Sequence, residues 1–250
     1  QHLFVKAEKF WEDRIEGYSK SLPVRIRGQL TKLQITAAVA PIDGPDGILG
    51  FAGPENFVEL RAPISFQNQN STELFRVATT SFMQFDLDDF PEMEANGVLL
   101  DVIIHEMGHA LGIGSLWEGN GLLAVDFSSR EPAPQYYGHY GLQQYRIESG
   151  ESFAAFVPVE QRGGPGTALG HWNDGGFFNT VGQPKARKAV MTGFIYDADP
   201  NVPLDVDNPT LIALPRFLSR ASMGSLADMG FAIQGINSHV GVAKTNKFPA

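Results

Sequence analysis

HEMGHALGIG, residues 105–114, decides how the rest of this chain is read. The residues before and within it place Val98, Leu99, Val102, Ile103, Met107, Ala110 and Leu111 at helical spacing. That spacing predicts a helix over about 92–111 with one broad apolar face. Gly112 and Gly114 stop it, since glycine accepts the left-handed turn at a helix C-terminus. On such a helix His105 and His109 lie four residues apart and share a face. Two imidazoles on adjacent turns suit one Zn²⁺ at about 2.0–2.1 Å from each nitrogen. Glu106 stands beside them, placed as general base toward water and later as proton donor to a leaving amine. Zinc lowers the pKa of water bound to it toward about 7, so the chemistry runs near neutral pH. Chance places this pattern in about one in a hundred chains of this composition. Ionisable residues at three of five consecutive positions also make a poor core stripe.

A catalytic zinc usually takes three protein ligands and keeps one position open. The remaining histidines are His2, His139, His171 and His239. His2 and His239 lie near the termini. His139 sits among Tyr137, Leu142 and Tyr145, which read as a packed helix over 137–148. His171 follows a glycine-rich approach, GGPGTALG, and precedes Trp172. Loop glycines let backbone come close to a site. Spacing therefore favours His171 over His139 and leaves the choice open. A carboxylate third ligand, Glu131 or Glu148, is a rival. A non-enzymatic binding module is another, although such a module has no chemical need for Glu106.

Outward from the motif, Phe4, Ala7, Trp11, Ile15 and Tyr18 predict an amphipathic helix over 3–19. Val24–Arg27 and Leu33–Val39 read as strands, residues 41–54 as a glycine- and proline-rich loop, and 57–66 and 77–85 as further strands. Run 77–85 is expected at the sheet edge, where an extended peptide would pair with it. After residue 115 glycine, proline and aromatic residues dominate. A second late helix is expected at 220–229, between Ser219 and Gly230. The division is 1–114, with the sheet and the histidine helix, and 115–250, irregular, together forming one α+β domain. Asp86, Asp88 and Asp89, and also Asp197, Asp199, Asp205 and Asp207, read as solvated surface with Ca²⁺ as the alternative. Neither run completes a calcium loop. Asn70-Ser71-Thr72 is a glycosylation sequon in a eukaryotic secretory host.

The chain has 250 residues with 19 basic and 28 acidic side chains, a net charge of −9. That balance gives no general attraction to nucleic acid or to anionic membrane. No apolar run approaches the 18 or so residues of a membrane span. The N-terminal stretch QHLFVKAEKF does not read as a signal peptide. With no cysteine, disulfides, thiolate metal sites and a cysteine nucleophile are excluded within these residues.

HEMGHALGIG resembles the extended zinc motif of the metzincin metallopeptidases. Most metzincins place a third His six residues after the second, where this chain has Ser115. Leishmanolysin-like metzincins instead separate the two by a long insertion. They then carry a His-Trp pair, an acidic residue and a Met-Thr-Gly turn. HWND at 171–174 and VMTGF at 190–194 are similar to that later part. FMQFDLDD at 82–89, LSRASMGSLADMGF at 218–231 and the Phe4–Trp11 helix resemble further family elements. The resemblance implies a metzincin-like zincin domain: a twisted mixed sheet, an active-site helix and an irregular C-terminal subdomain. It implies a zinc endopeptidase with His105, His109 and His171 as ligands and Glu106 as catalytic base. Gly112 is then the turn out of the helix and Met191 the Met-turn beneath the metal. It also implies a protein or peptide substrate and a secreted or extracytoplasmic location; a monomer is the expected state, although the sequence does not fix it. Leishmanolysin itself is rich in disulfides, so the likeness is to a compact, cysteine-free, bacterial-type relative. Gly193 stands where some metzincins carry an additional tyrosine ligand, and Tyr196 is not assigned that role.

Overall fold

A computed structural model describes residues 2–20, 22–63, 72–126, 133–173, 188–193 and 216–236. Helix α1 (His2–Glu12) lays Ala7 and Trp11 into the core. It stops well short of the predicted residue 19. Residues beyond it form β1 (Ile15–Tyr18), which pairs antiparallel with β10 (Phe231–Ile233) near the other end of the described chain. Tyr18 leaves the helical stripe, stacks on Phe231 with ring centroids 5.3 Å apart, and donates its hydroxyl to Ala78 O at 2.8 Å. Long-range pairing has overridden a local periodicity here.

The predicted strand Val24–Arg27 is instead one helical turn, α2 (Val24–Arg27). Val24 and Ile26 alternate as in a strand, but Leu22, Ile26 and Leu30 step by four. It is the second set that is buried, against Leu60, Phe75 and Val77. Pro23 stands at the N-cap, where its fixed φ suits a helix start.

The main sheet has the order β2 (Gln34–Ala40), β4 (Thr72–Asp86), β3 (Gly50–Pro63). β2 runs parallel to β4 and β3 antiparallel, so the sheet is open and mixed. The run 77–85, expected at the edge, lies inside the central strand β4 with a neighbour on each side. Among the described strands the edges are β2 and β3. β3 starts at Gly50, inside the predicted 41–54 loop. Asp86 N–H donates to Leu49 O at 3.0 Å. The alternation of an antiparallel ladder therefore turns the N–H and C=O of Gly50 and Ala52 away from β4.

The predicted 92–111 helix is broken in two. α3 (Phe90–Ala95) ends at a turn through Gly97, and α4 (Leu99–Ala110) carries the histidines. Every residue of α4 except Asp101 is buried. Then come β5 (Leu123–Asp126), β6 (Ala133–Tyr136), α5 (His139–Ser149) and β7 (Val157–Pro158), the three strands forming one small sheet. β8 (Lys188–Ala189) and β9 (Arg216–Phe217) pair in parallel. α6 (Arg220–Asp228) is capped as expected, Ser219 Oγ accepting the Ser222 N–H. The dominant apolar core runs from Ala7 to Ile233 and draws on both sides of residue 114. No helix among the described residues is long and apolar enough to cross a membrane.

Asp86 and Asp89 are not solvated surface. Both are buried, and Asp88 alone of the three is exposed. Asp86 accepts the N–H groups of Ile42 (2.6 Å), Asp43 (3.0 Å) and Asp88 (2.7 Å), while Asp89 accepts that of Asp46 (2.9 Å). They pin the 41–49 loop to the end of β4. The second aspartate run, with Asn70 and Ser71 of the sequon, lies outside the described residues.

Burial opposes ionisation of Asp86, but backbone N–H donors outweigh it and hold the carboxyl below its ordinary 3.8. A group with a depressed folded pKa contributes stability above its unfolded pKa and loses it as pH falls through the folded one. Acid denaturation of the parent should therefore steepen below pH 3.8. Asp86→Asn should be less stable at neutral pH and show a flatter acid limb, as denaturant titrations at several pH values would reveal.

Candidate metal centre

α4 presents His105 and His109 one turn apart, and the loop ending at residue 171 brings a third imidazole to them. His105 Nε2 lies 3.0 Å from His171 Nε2 and 3.0 Å from His109 Nε2, and the remaining pair is 2.9 Å apart. All three residues are buried. Each Nδ1 faces a backbone carbonyl: His105 toward Val190 O at 2.6 Å, His109 toward Ile113 O at 2.8 Å, His171 toward Thr167 O at 2.8 Å. A carbonyl only accepts, so each Nδ1 carries the proton and each neutral ring points a bare Nε2 lone pair inward. Three lone pairs then converge within hydrogen-bond distance with no hydrogen between them. A cation at their meeting point would relieve that arrangement, and three imidazoles with a fixed tautomer suit a transition metal. Burial, and then the neighbouring His171, push His109 down to about 3. Burial, and then His105, do the same to His171. His109 and His171 therefore stay neutral at ordinary pH, the state a metal needs.

The next residue along α4 supplies the carboxylate. Glu106 is buried and its Oε2 has no hydrogen-bond partner among the described residues. Burial pushes its carboxyl up to about 8, and a cation beside it would favour the ionised form. An unpartnered buried carboxylate oxygen lining the same cleft as three convergent nitrogens fits a metal ion. The four residues line a cleft of about 850 Å³. Ile48, Gly50 and Phe51 contribute to it from the pinned loop and β3, and Thr167, Leu169 and Gly170 from the loop leading to His171.

Several segments hold the rings in place. Gly112, with φ +112°, turns the chain so that Ile113 O returns to His109. Ser115, the position of a third His in short metzincin motifs, donates its hydroxyl to His109 O at 2.6 Å. Segment 190–192 packs against α4: Val190 O orients His105, and Met191 is wholly buried. Trp172 N–H donates to Met191 O at 3.0 Å, which ties the His171 segment to this turn. The Trp172 indole lies against Trp117 and Tyr136, and its Nε1 donates to Ser222 Oγ at 2.8 Å. Glu160 closes the loop, its N–H donating to His171 O at 2.8 Å and its O accepting from Leu169 N at 2.9 Å.

Gly108 was not anticipated. A Cβ there would sit 2.5 Å from Met191 Sδ and 3.3 Å from Trp11. Its signal was in the sequence, because a glycine inside a helix costs about 1 kcal/mol relative to alanine and needs a reason. Ser222 and Glu160 carried no comparable signal. His139 is exposed, edge-on to Tyr140 at the start of α5, and takes no part in the cluster. His2 lies at the start of α1; His239 and Glu131 lie outside the described residues. Glu148 accepts the Arg220 N–H at the head of α6. Among the described residues, the three histidines are the only group of potential metal ligands brought together, and no aspartate cluster qualifies.

Compared with known proteins, the chain matches no protein-family model and no curated protein.

His171→Ala should abolish stoichiometric zinc binding, because two imidazoles hold zinc poorly. His139→Ala should bind like the parent. Since metal bound only to the folded site adds stability, chelator should lower the melting temperature of the parent and of His139→Ala but hardly move His171→Ala. Metal content and melting curves of the three proteins check this.

Proposed function

We propose that this chain is a zinc endopeptidase of the leishmanolysin-like metzincin type, acting on protein or peptide substrates outside the cytoplasm. One observation carries the reading: three tautomerically fixed imidazoles converge on a point in an open cleft that a buried carboxylate with an unpartnered oxygen also lines. His105, His109 and His171 would hold the ion. Zinc bound there supplies a Lewis acid that polarises the scissile carbonyl and acidifies water. Glu106 takes the proton from the attacking water as its oxygen bonds to the carbonyl carbon. It then delivers that proton to the amine nitrogen as the C–N bond breaks. Burial raises the proton affinity of the Glu106 carboxyl, which suits it to both transfers.

Glu106→Ala should retain zinc and the parent melting temperature while peptide hydrolysis falls by about 10²–10⁴-fold. Near-parent turnover by this zinc-loaded variant would remove Glu106 from its role. Absence of hydrolysis by the zinc-loaded parent across a peptide library would remove the peptidase reading itself.

The peptide's path follows from the free edge. With β4 central, an extended substrate pairs with the outward N–H and C=O groups of Gly50 and Ala52 on β3. Methylating the substrate amide that meets this edge should raise KM by about two- to tenfold, since a lost charge-neutral hydrogen bond costs about 0.5–1.5 kcal/mol. A methylation scan with no position-dependent change in KM would move the substrate off β3.

A further inference from the structure

His171 is the ligand that α4 does not carry, and the next residue, Trp172, is held from α6. The Trp172 ring is wholly buried against Trp117, with centroids 4.2 Å apart, and edge-on to Tyr136 at 5.2 Å. Its Nε1 donates to Ser222 Oγ at 2.8 Å. Tyr136 is also wholly buried and stands in β6, where Leu123 and Val157 pair with it from either side. The Tyr136 hydroxyl donates to Asp228 Oδ2 at 2.8 Å, at the end of α6. The same carboxylate accepts the N–H groups of Tyr140 at 2.9 Å and Gly141 at 2.8 Å, in the first turn of α5.

Space for this contact is built into both helices. A Cβ at Gly138 would fall on the Tyr136 hydroxyl and the Asp228 carboxylate. One at Gly141 would sit 2.6 Å from the Tyr136 ring, and one at Gly224 would meet the Tyr140 carbonyl. Glycine inside a helix is unfavourable relative to alanine, and this close approach is what Gly141 and Gly224 permit. A buried carboxylate with three donors in fixed directions holds a phenol more firmly than apolar packing alone does.

We propose that Asp228 is a positioning residue for the metal centre: by holding the Tyr136 ring against Trp172 it sets where the adjoining His171 imidazole stands. The link runs from the carboxylate to the Tyr136 hydroxyl, from ring to ring, and from Trp172 N–H to Met191 O at 3.0 Å. Without the carboxylate the Tyr136 ring gains freedom and Trp172 loses its edge support. His171 Nε2 then spends less time at the point it shares with His105 and His109. A metal would have to order that ligand on binding, which costs affinity. The inference rests on the metal reading of the three histidines and is independent of the peptidase reading.

The test measures zinc affinity of the full chain by competition with a chromogenic chelator, together with the metal-free melting temperature. Asp228→Asn and Tyr136→Phe should each weaken zinc binding about two- to tenfold, the range of one oriented hydrogen bond. Both cut the same link, so the double variant should be no weaker than Asp228→Asn alone. Glu148→Ala is the control. It removes the acceptor of the Arg220 N–H from the same α5–α6 pair, so it should lower the metal-free melting temperature and leave zinc affinity at the parent value. Parent-like zinc affinity in both Asp228→Asn and Tyr136→Phe, with only the melting temperature lowered, would overturn the inference and leave the metal reading intact. An equal loss of affinity in Glu148→Ala would overturn it as well. Where Asp228→Asn does not fold, Tyr136→Phe, which keeps the ring and its packing, decides alone. A parent that takes up no zinc removes the metal reading and this inference together.

Discussion

Each imidazole of the centre is held at Nδ1 by a backbone carbonyl, and much of the surrounding fold follows from that requirement. The three carbonyls belong to Ile113, Thr167 and Val190. None lies on α4, so three separate pieces of irregular chain must be delivered to one helix. The turn at Gly112 delivers the first, the closed loop from Glu160 to His171 the second, and the segment packed under α4 the third. Chain beyond residue 115 looks irregular because its task is to position carbonyls, which regular helices and strands would have engaged in their own ladders.

Carboxylates show how environment divides one chemistry into several roles. Asp86 and Glu106 are both buried, but Asp86 is surrounded by N–H donors and Glu106 has an oxygen with none. The first is an anchor for a cleft wall and its pKa falls; the second keeps its proton strongly until a cation arrives. Glu118, exposed on the turn after α4, belongs to neither class. Asp228 is a fourth case: burial pushes it up to about 7 although Tyr136 and the backbone at the head of α5 donate to it. The sequence shows only acidic letters at all four positions.

What was legible in the sequence follows the range of the interactions involved. The pairing of His105 with His109, the turn at Gly112 and the cap at Ser219 are local, and periodicity or turn chemistry reveals them. His171 is 62 positions beyond His109, and no local rule connects them; spacing left His139 in contention, and the resemblance pointed to His171. Which strand sits at the sheet edge is likewise non-local. Strand 77–85 is rich in Val, Thr and Phe whether central or peripheral, so composition did not separate β4 from β3. Val24–Arg27 failed for a different reason: four residues are too few to distinguish a period of two from one of four until Leu22 and Leu30 are included. Asp86 and Asp89 were misplaced because the partners that bury them are main-chain groups, which leave no mark in the sequence.

The contact between Gly108 and Met191 bears on how a mutational map of this protein would be interpreted. Position 108 lies between His105 and His109, and a Cβ placed there would sit 2.5 Å from the Met191 sulfur, which would have to shift to admit it. Gly114 is tighter still, its missing Cβ falling 1.9 Å from the backbone Gly170 O. Both positions would register as intolerant in a saturation screen, alongside His105, Glu106 and His109, with nothing chemical at stake in either. The discriminating signature is size dependence: at a packing position damage grows with the volume introduced, whereas at a ligand an isosteric replacement is as harmful as a bulky one. The motif thus contains two kinds of constraint interleaved in ten residues, one set by electrons and one by space.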